Sequence, residues 1–429
     1  MNNRPFHIVV WGASGFTGRL VCQHVAQDYH GKISWAMAGR SKEKLESVRA
    51  DLVTQFGPQL AEVPILLGSL DDPASLEAIA QKTRVLISTA GPFNKLGTPV
   101  VDSAVKMSTH YVDITGEVPW VNKLIKEYHQ TAAKKNVRIV PCCGYDSVPA
   151  DLGAFFAVEN FKKRFGRPPT SVTTVVEDAK GTVSGGTIAT AMDLSKERAE
   201  KKKGSGVQNP REDTPYELIP DNQEAGADVD TWWRVEKAPA VLGKRAWFAP
   251  SIMQVCDTRV VHRSNYLLGW GGPNFHCREH TLANGYLKAR ASALLFLGIG
   301  AALSATSLHF LLKKIVPAQG EGPTREQMLT GYYKQCAIAE GVSRENDKEV
   351  VNMLVAEVGD EHRDPGYWGT SRLVLECALC LACQQKELDD DDTVLKGGIL
   401  TPASALGMYG IARLRSAGIH FRIRETTPQ

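Results

Sequence analysis

The sequence predicts a mixed α/β protein: an N-terminal doubly wound parallel sheet followed by a second, α+β domain. Three observations carry that prediction. Six short apolar runs alternate with stretches of helical spacing over the first 150 residues. The first run passes straight into a glycine-rich turn and then a helix pattern. Small or polar residues collect where the runs end, which is where open α/β sheets gather ligands.

Phe6–Trp11 (FHIVVW) suits a fully buried strand. Gly12-Ala13-Ser14-Gly15-Phe16-Thr17-Gly18 follows, then Leu20, Val21, His24 and Val25 at helix spacing. Strand, glycine turn and helix are the setting of a dinucleotide fingerprint, here spaced G-x-x-G-x-x-G. Gly12 serves the tight turn, Gly15 lets backbone N–H groups approach a pyrophosphate, and Gly18 lets helix and strand pack closely. Ser14, Phe16 and Thr17 complete the predicted cradle. The second strand, 33–38, ends in Gly39-Arg40-Ser41, with Lys44 close behind and the helix Lys42–Phe56 after it. An NAD site wants an acidic residue here for the ribose 2′-hydroxyl. Arg40, Ser41 and Lys44 suit a 2′-phosphate instead, so NADP(H) is the expected cofactor. The bland alternative is a solvated basic turn.

Strand three, 63–67, runs toward Asp71, which can hold the adenine amino group, and a helix covers 73–82. Strand four, 85–89, ends in Ala90-Gly91-Pro92, small enough to leave room for the nicotinamide ribose. A helix at 99–107 leads to strand five, 110–114, which ends in Thr115-Gly116-Glu117. Gly116 and Glu117 are read as cofactor or substrate contacts, with capping as the alternative for Glu117. A helix at 120–135 and strand six, 137–141, lead to Gly144-Tyr145-Asp146. Tyr145 is the candidate proton donor and Asp146 its orienting partner, although Asp146-Ser147 before Pro149 also reads as a helix cap.

The rest of the chain is less legible. The expected division is 1–150, 151–400 and a C-terminal helix and strand at 401–429. Residues 171–178 read as a strand, and Ser184-Gly185-Gly186-Thr187 as a loop or an anion-receiving helix start. A polar insertion spans 196–245, with Lys201-Lys202-Lys203 in it. Runs at 248–261 and 265–268 read as strands, as do parts of 274–287 and 350–358. Residues 291–312 contain no Asp, Glu, Lys or Arg. Three readings fit that run: a buried or dimer-forming helix, a lipid-surface anchor, or a membrane span. A helix is expected from Arg372, an acidic turn at 389–392, a helix at 403–417 and a strand at 419–423.

Composition is ordinary: 43% hydrophobic, 23% charged, with Lys plus Arg at 50 against Asp plus Glu at 47. A formal charge of +3 gives no large excess for binding phosphate backbones, so nucleic acid is not an expected partner. Nine cysteines without a secretory signal suggest free thiols in an intracellular, reducing setting. Cys377, Cys380 and Cys383 fall on one apolar helix and read as core thiols, and no metal is expected.

The stretches WGASGFTG (11–18), AGRSKEKL (38–45), STAGPF (88–93), YVDITGE (111–117) and GYDSVPADLG (144–153) together resemble the saccharopine dehydrogenase-like oxidoreductases. The resemblance is strong over 5–155, weakens in the middle and returns near 401–423. It implies a Rossmann domain followed by an α+β domain that closes over the nicotinamide. Within the family the chain is similar to trans-acting enoyl reductases, which saturate a double bond on a lipid intermediate, and to a eukaryotic branch associated with lipid droplets. An NADP-dependent reductase of a lipid-linked or other small-molecule substrate in lipid or glycolipid metabolism is therefore expected. The implied setting is the cytoplasmic face of a membrane or lipid droplet, with the mitochondrion as the alternative. Two other readings stand beside it: a non-catalytic lipid-surface protein that keeps the nucleotide fold, and a true saccharopine dehydrogenase. The last needs several cations around a dicarboxylate-rich substrate, and no such cluster is visible in the sequence.

Overall fold

Parallel strands need a crossover of a dozen or more residues, and the N-terminal sequence supplies a helix after nearly every apolar run. The computed structural model describes residues 4–145, 147–181, 211–230, 233–304, 322–345 and 348–425. In chain order the first elements are β1 (Phe6–Trp11), α1 (Phe16–His24), β2 (Trp35–Gly39), α2 (Lys42–Phe56), β3 (Ile65–Leu67) and α3 (Pro73–Ala80). Next come β4 (Thr83–Ser88), α4 (Phe93–Leu96), α5 (Thr98–Lys106), β5 (His110–Asp113), α6 (Val118–Lys134) and β6 (Arg138–Val140). Then follow α7 (Val148–Phe165), β7 (Ser171–Lys180), β8 (Glu236–Lys237), β9 (Ala246–Pro250), α8 (Gln254–Leu268), β10 (His276–Asn284) and α9 (Tyr286–Ser304). The remainder is α10 (Arg325–Leu329), β11 (Tyr332–Glu345), β12 (Lys348–Asp360), α11 (Thr370–Cys383), α12 (Gln385–Asp390), β13 (Gly398–Ile399), α13 (Pro402–Ser416) and β14 (His420–Arg424).

The described residues divide into two units, one within Met1–Val148, Gly320–Met328 and Pro365–Ala417, the other within Pro149–Gln319, Leu329–Asp364 and Gly418–Gln429. The first unit holds a seven-stranded parallel sheet in the order β13-β6-β5-β4-β1-β2-β3. Its strands are nearly all buried, as sheets covered on both faces require. The expected boundary near 150 marks where the chain leaves this unit, but the expected second and third domains divide differently. Residues 365–417 return to the first unit because α11 is buried nearly all round and packs on β1, β4, β5, α1 and α13. The fully buried Arg138 guanidinium fixes the return, pairing with Asp389 at 2.7 Å and donating to the carbonyls of Leu388 and Leu395. Glu376 on α11 lies between Arg372 and Arg413, each at 2.9 Å, and accepts from the Tyr29 hydroxyl at 2.6 Å.

The second unit holds a seven-stranded sheet in the order β14-β12-β11-β7-β10-β9-β8, antiparallel except between β7 and β10. Its core gathers Val175, Phe248, Cys336, Ile338 and Val355. Helix α7 lies close to the sheet at Gly153, where a Cβ would stand 3.1 Å from the Val358 side chain.

Several expectations are corrected here. The runs at 248–261 and 265–268 are not strands. Only Ala246–Pro250 is, and after a short connection Gln254–Leu268 forms α8, ended by Gly269 in the left-handed region at φ 65°. Its charged residues are buried by partners distant in sequence: Arg259 grips Asp230 with two contacts of 2.6 Å, and Arg263 donates to the Leu218 carbonyl. Those partners belong to the polar insertion, so residues 211–230 are a partly buried strap on α8 rather than a plain surface loop. The 14-residue strand β11, unread in the sequence, pairs with both β7 and β12. The acidic turn at 389–392 begins inside α12. The first part of 291–312 is helical within α9, and its last residues lie outside the described ones. Lys201–203 and Ser184–Thr187 lie outside them too.

Candidate cofactor and active site

A parallel sheet brings every strand's carboxyl end to one edge, and strand order reverses between β1 and β4. That edge collects the predicted positions after β1, β2, β3, β4, β5 and β6.

Gly12 adopts φ 82°, a left-handed conformation that disfavours other residues. A Cβ on Gly18 would lie 2.2 Å from the Gly12 carbonyl oxygen, so only glycine lets α1 approach the turn this closely. Gly15 caps α1 without a side-chain hydrogen bond, and no acidic residue stands in the first turn. Among the described residues the amides there thus face no competing side-chain acceptor, and the helix end carries partial positive charge. This fits a pyrophosphate. Thr89, which the sequence reading left unassigned, braces the turn: its hydroxyl donates to the carbonyls of Trp11 and Gly12 at 3.2 and 3.3 Å. A hydroxyl at the end of the strand beside β1 was the available signal.

The Phe16 ring packs edge-on against Tyr367 with centroids 4.8 Å apart, beside Leu20, Met328 and Trp368, which leaves its backbone for an anion. Ser14 offers its carbonyl to Arg19 Nε at 3.1 Å, and Thr17 is in the first turn of α1. Arg40 is exposed directly after β2, and no ion pair to it is present among the described residues. Ser41 caps α2: its hydroxyl accepts from Lys44 N at 3.2 Å and donates to Glu43 at 2.9 Å. Lys44 is exposed, and Asp71 is exposed in the turn before α3.

Glu117 does not hold an outward-facing carboxylate. It is 2% exposed and accepts from the amides of Phe93 and Asn94, both at 2.8 Å. Those amides open α4, so the carboxylate anchors the Ala90-Gly91-Pro92 turn from behind. Gly116 precedes it, and Thr115 supports it by accepting the Glu117 amide at 3.0 Å.

Tyr145 is half-buried, its amide donating to the Thr370 hydroxyl at 3.1 Å. Asp146 lies outside the described residues. Thr370 is the first residue of α11. Arg372, by contrast, is buried in the Asp28 and Glu376 network. Asp113 is fully buried, and that burial pushes its carboxyl up to about 7. Cys142, Cys143, Cys377 and Cys380 are buried and outside any disulfide, while Cys383 is exposed.

The sheet, the glycine turn at the β1–α1 junction and the clustered strand ends define a nucleotide-binding oxidoreductase fold with a second α/β unit. Residues 8–140 match the saccharopine dehydrogenase NADP-binding domain family. The chain belongs to the saccharopine dehydrogenase-like oxidoreductases. It is 32% identical over 429 residues, 97% of both chains, to a Mycobacterium tuberculosis protein described as a candidate trans-acting enoyl reductase. It is 30% identical over 435 residues, again 97% of both, to the trans-acting enoyl reductase of Mycobacterium ulcerans. In fold it resembles the apo saccharopine dehydrogenase (L-Glu forming) of Saccharomyces cerevisiae, with a TM-score of 0.56 and 11% identity over 98% of this chain and 99% of that one. The family indicates a nicotinamide cofactor.

Proposed function

We propose that the chain is an NADPH-dependent enoyl reductase acting on a lipid-linked, carrier-borne substrate. The observation that supports this most is a full-length likeness to trans-acting enoyl reductases joined to a basic, non-acidic end of β2. Bound NADPH would supply the hydride to the β-carbon of an α,β-unsaturated thioester. The uncapped start of α1 would hold the pyrophosphate. Arg40 would pair with the 2′-phosphate, and Ser41 and Lys44 would flank it. Ala90, Gly91 and Pro92, fixed by Glu117, would border the nicotinamide ribose. The Tyr145 hydroxyl would give its proton to the α-carbon and recover one from solvent. The balance is one hydride and one proton added across one carbon–carbon double bond.

The test is NADPH oxidation in the presence of a trans-2-enoyl thioester, with saccharopine plus NADP as the comparison. Turnover of the thioester supports the proposal. Turnover of saccharopine alone overturns it.

A second reading concerns location. Helix α9 buries Ala289 and Ala293 against β9 and β10, yet leaves Leu287, Leu294 and Leu295 more than 60% exposed. Exposed Lys288 and Arg290 sit beside them. Among the described residues no helix is long and apolar enough to cross a membrane. We infer a face that rests on a membrane or lipid-droplet surface. Flotation with anionic vesicles tests it: co-flotation lost in L294E/L295E supports the reading. Dimer dissociation by the same change, without flotation of the parent protein, replaces it with self-association.

A further inference from the structure

The segment joining β6 to α7 carries Cys142, Cys143, Gly144 and Tyr145, and its backbone is not relaxed. Cys142 holds φ 62°, a left-handed conformation that a side chain bearing a Cβ seldom adopts. Surrounding structure must enforce it. Two residues from distant parts of the chain do so. On one side Asp113, the last residue of β5, accepts from the Cys142 amide at 3.1 Å and the Thr115 amide at 2.9 Å through Oδ1. Its main-chain carbonyl accepts from the Cys143 amide at 2.7 Å. On the other side the Thr370 hydroxyl accepts from the Tyr145 amide at 3.1 Å while donating to the Pro365 carbonyl at 2.9 Å. Between them Gly144 sits close to both neighbours: a Cβ there would crowd Thr370 Cγ2 at 3.2 Å and touch Ile114 Cβ at 3.6 Å.

We propose that Asp113 and Thr370 are positioning residues that clamp the Cys142–Tyr145 turn from both sides and so set where Tyr145 stands in the site. This rests on the proton-donor reading of Tyr145 given above. Asp113 lies within the sheet rather than in the cleft. Tyr111, which acts on its carboxyl, is on its own strand, Ser88 lies opposite it on the neighbouring strand, and both are fully buried. The titratable groups that act on it are Tyr111 and Glu117. Asp113 therefore touches neither substrate nor cofactor and acts through the turn. An ionised carboxylate is the stronger acceptor for two amides, so the clamp is tightest when Asp113 is unprotonated.

The experiment compares D113N, D113A, T370S, T370V and Y145F with the parent protein. Cofactor affinity is read by NADPH fluorescence titration, kcat and KM with a trans-2-enoyl thioester from pH 5.5 to 8.5, and turn exposure by alkylation of Cys142 and Cys143 mapped by mass spectrometry. D113A and T370V should lower kcat about tenfold, leave the NADPH Kd within about twofold, and raise alkylation of the two buried thiols. D113N keeps an acceptor oxygen and T370S keeps the hydroxyl. T370S should restore the parent's kcat. D113N should hold a reduced kcat and lack the rise of kcat through about pH 7 that is expected of the parent. Unchanged kcat, pH profile and alkylation in D113A and T370V overturn the proposal, as does a loss confined to NADPH affinity. If Y145F keeps full activity while D113A and T370V do not, the proton-donor reading of Tyr145 fails and the clamp stands. If the thioester is not a substrate of the parent protein, alkylation decides alone: equal labelling in all variants overturns the clamp.

Discussion

Replacing Glu117 with Ala removes one buried carboxylate and strands two backbone amides, those of Phe93 and Asn94. Both contacts are 2.8 Å and Glu117 is 2% exposed, so water does not readily take its place. Hydrogen bonds to charged groups contribute about 1.5–3 kcal/mol each, which puts the loss at roughly 3–6 kcal/mol for the pair. That is a large fraction of the about 5–15 kcal/mol that holds a typical domain folded. Glu117→Gln keeps one acceptor oxygen but sets an NH2 against the second amide, so roughly half the loss is expected. Because the carboxylate fixes the 90–92 turn, cofactor affinity should fall in the same order: parent, Gln, Ala. The assay pairs thermal melting, with and without NADPH, with fluorescence titration of NADPH. A melting temperature and NADPH Kd in E117A equal to those of the parent would refute the anchoring role and return Glu117 to the set of direct ligand contacts.

Gly18→Ala places a methyl 2.2 Å from the Gly12 carbonyl and 2.8 Å from the Thr89 hydroxyl, so α1 must retreat by about 1 Å to restore ordinary carbon–oxygen contact. NADPH affinity should drop at least tenfold while the second unit keeps its hydrogen-exchange protection; an unchanged Kd would show that α1 is not the pyrophosphate cradle. Arg40→Ala should weaken NADPH about tenfold or more and leave NADH unaffected, with the difference shrinking at high salt because Arg40 is exposed. Equal losses for both cofactors in paired titrations would remove Arg40 from 2′-phosphate recognition.

The sheet's strands and the glycine turn were legible because their signals are local. Apolar runs such as Phe6–Trp11 bury on both faces, and the spacing of Gly12, Gly15 and Gly18 meets the chain's needs within a single turn. Glu117 was legible as important but not as to what it does. An acidic residue at a strand end looks as though it faces a ligand, and only the folded turn at 92–94 shows two amides behind it. Asp113 acts on a partner equally hidden from the sequence, Cys142 on the next strand's exit. Helix α8 was misread because Thr258, Val260 and Val261 favour strands locally, while the burial of Arg259 and Arg263 depends on Asp230 and the Leu218 carbonyl. The return of α11 to the first sheet has no local signature, since an apolar helix fits many surfaces equally well.

That return has a consequence for how the chain comes off the ribosome. Strands β1 through β6 emerge first, but the helix that covers β1, β4 and β5 and the strand that completes the sheet beside β6 are synthesised only after most of the second unit. Until then the nascent cofactor-binding unit shows an unprotected apolar face, and a truncated product ending near residue 148 keeps that face for good. Vectorial synthesis thus makes this unit, although first in sequence, wait for residues 365–417 before its sheet is covered, and leaves it in need of shielding while those last pieces are made.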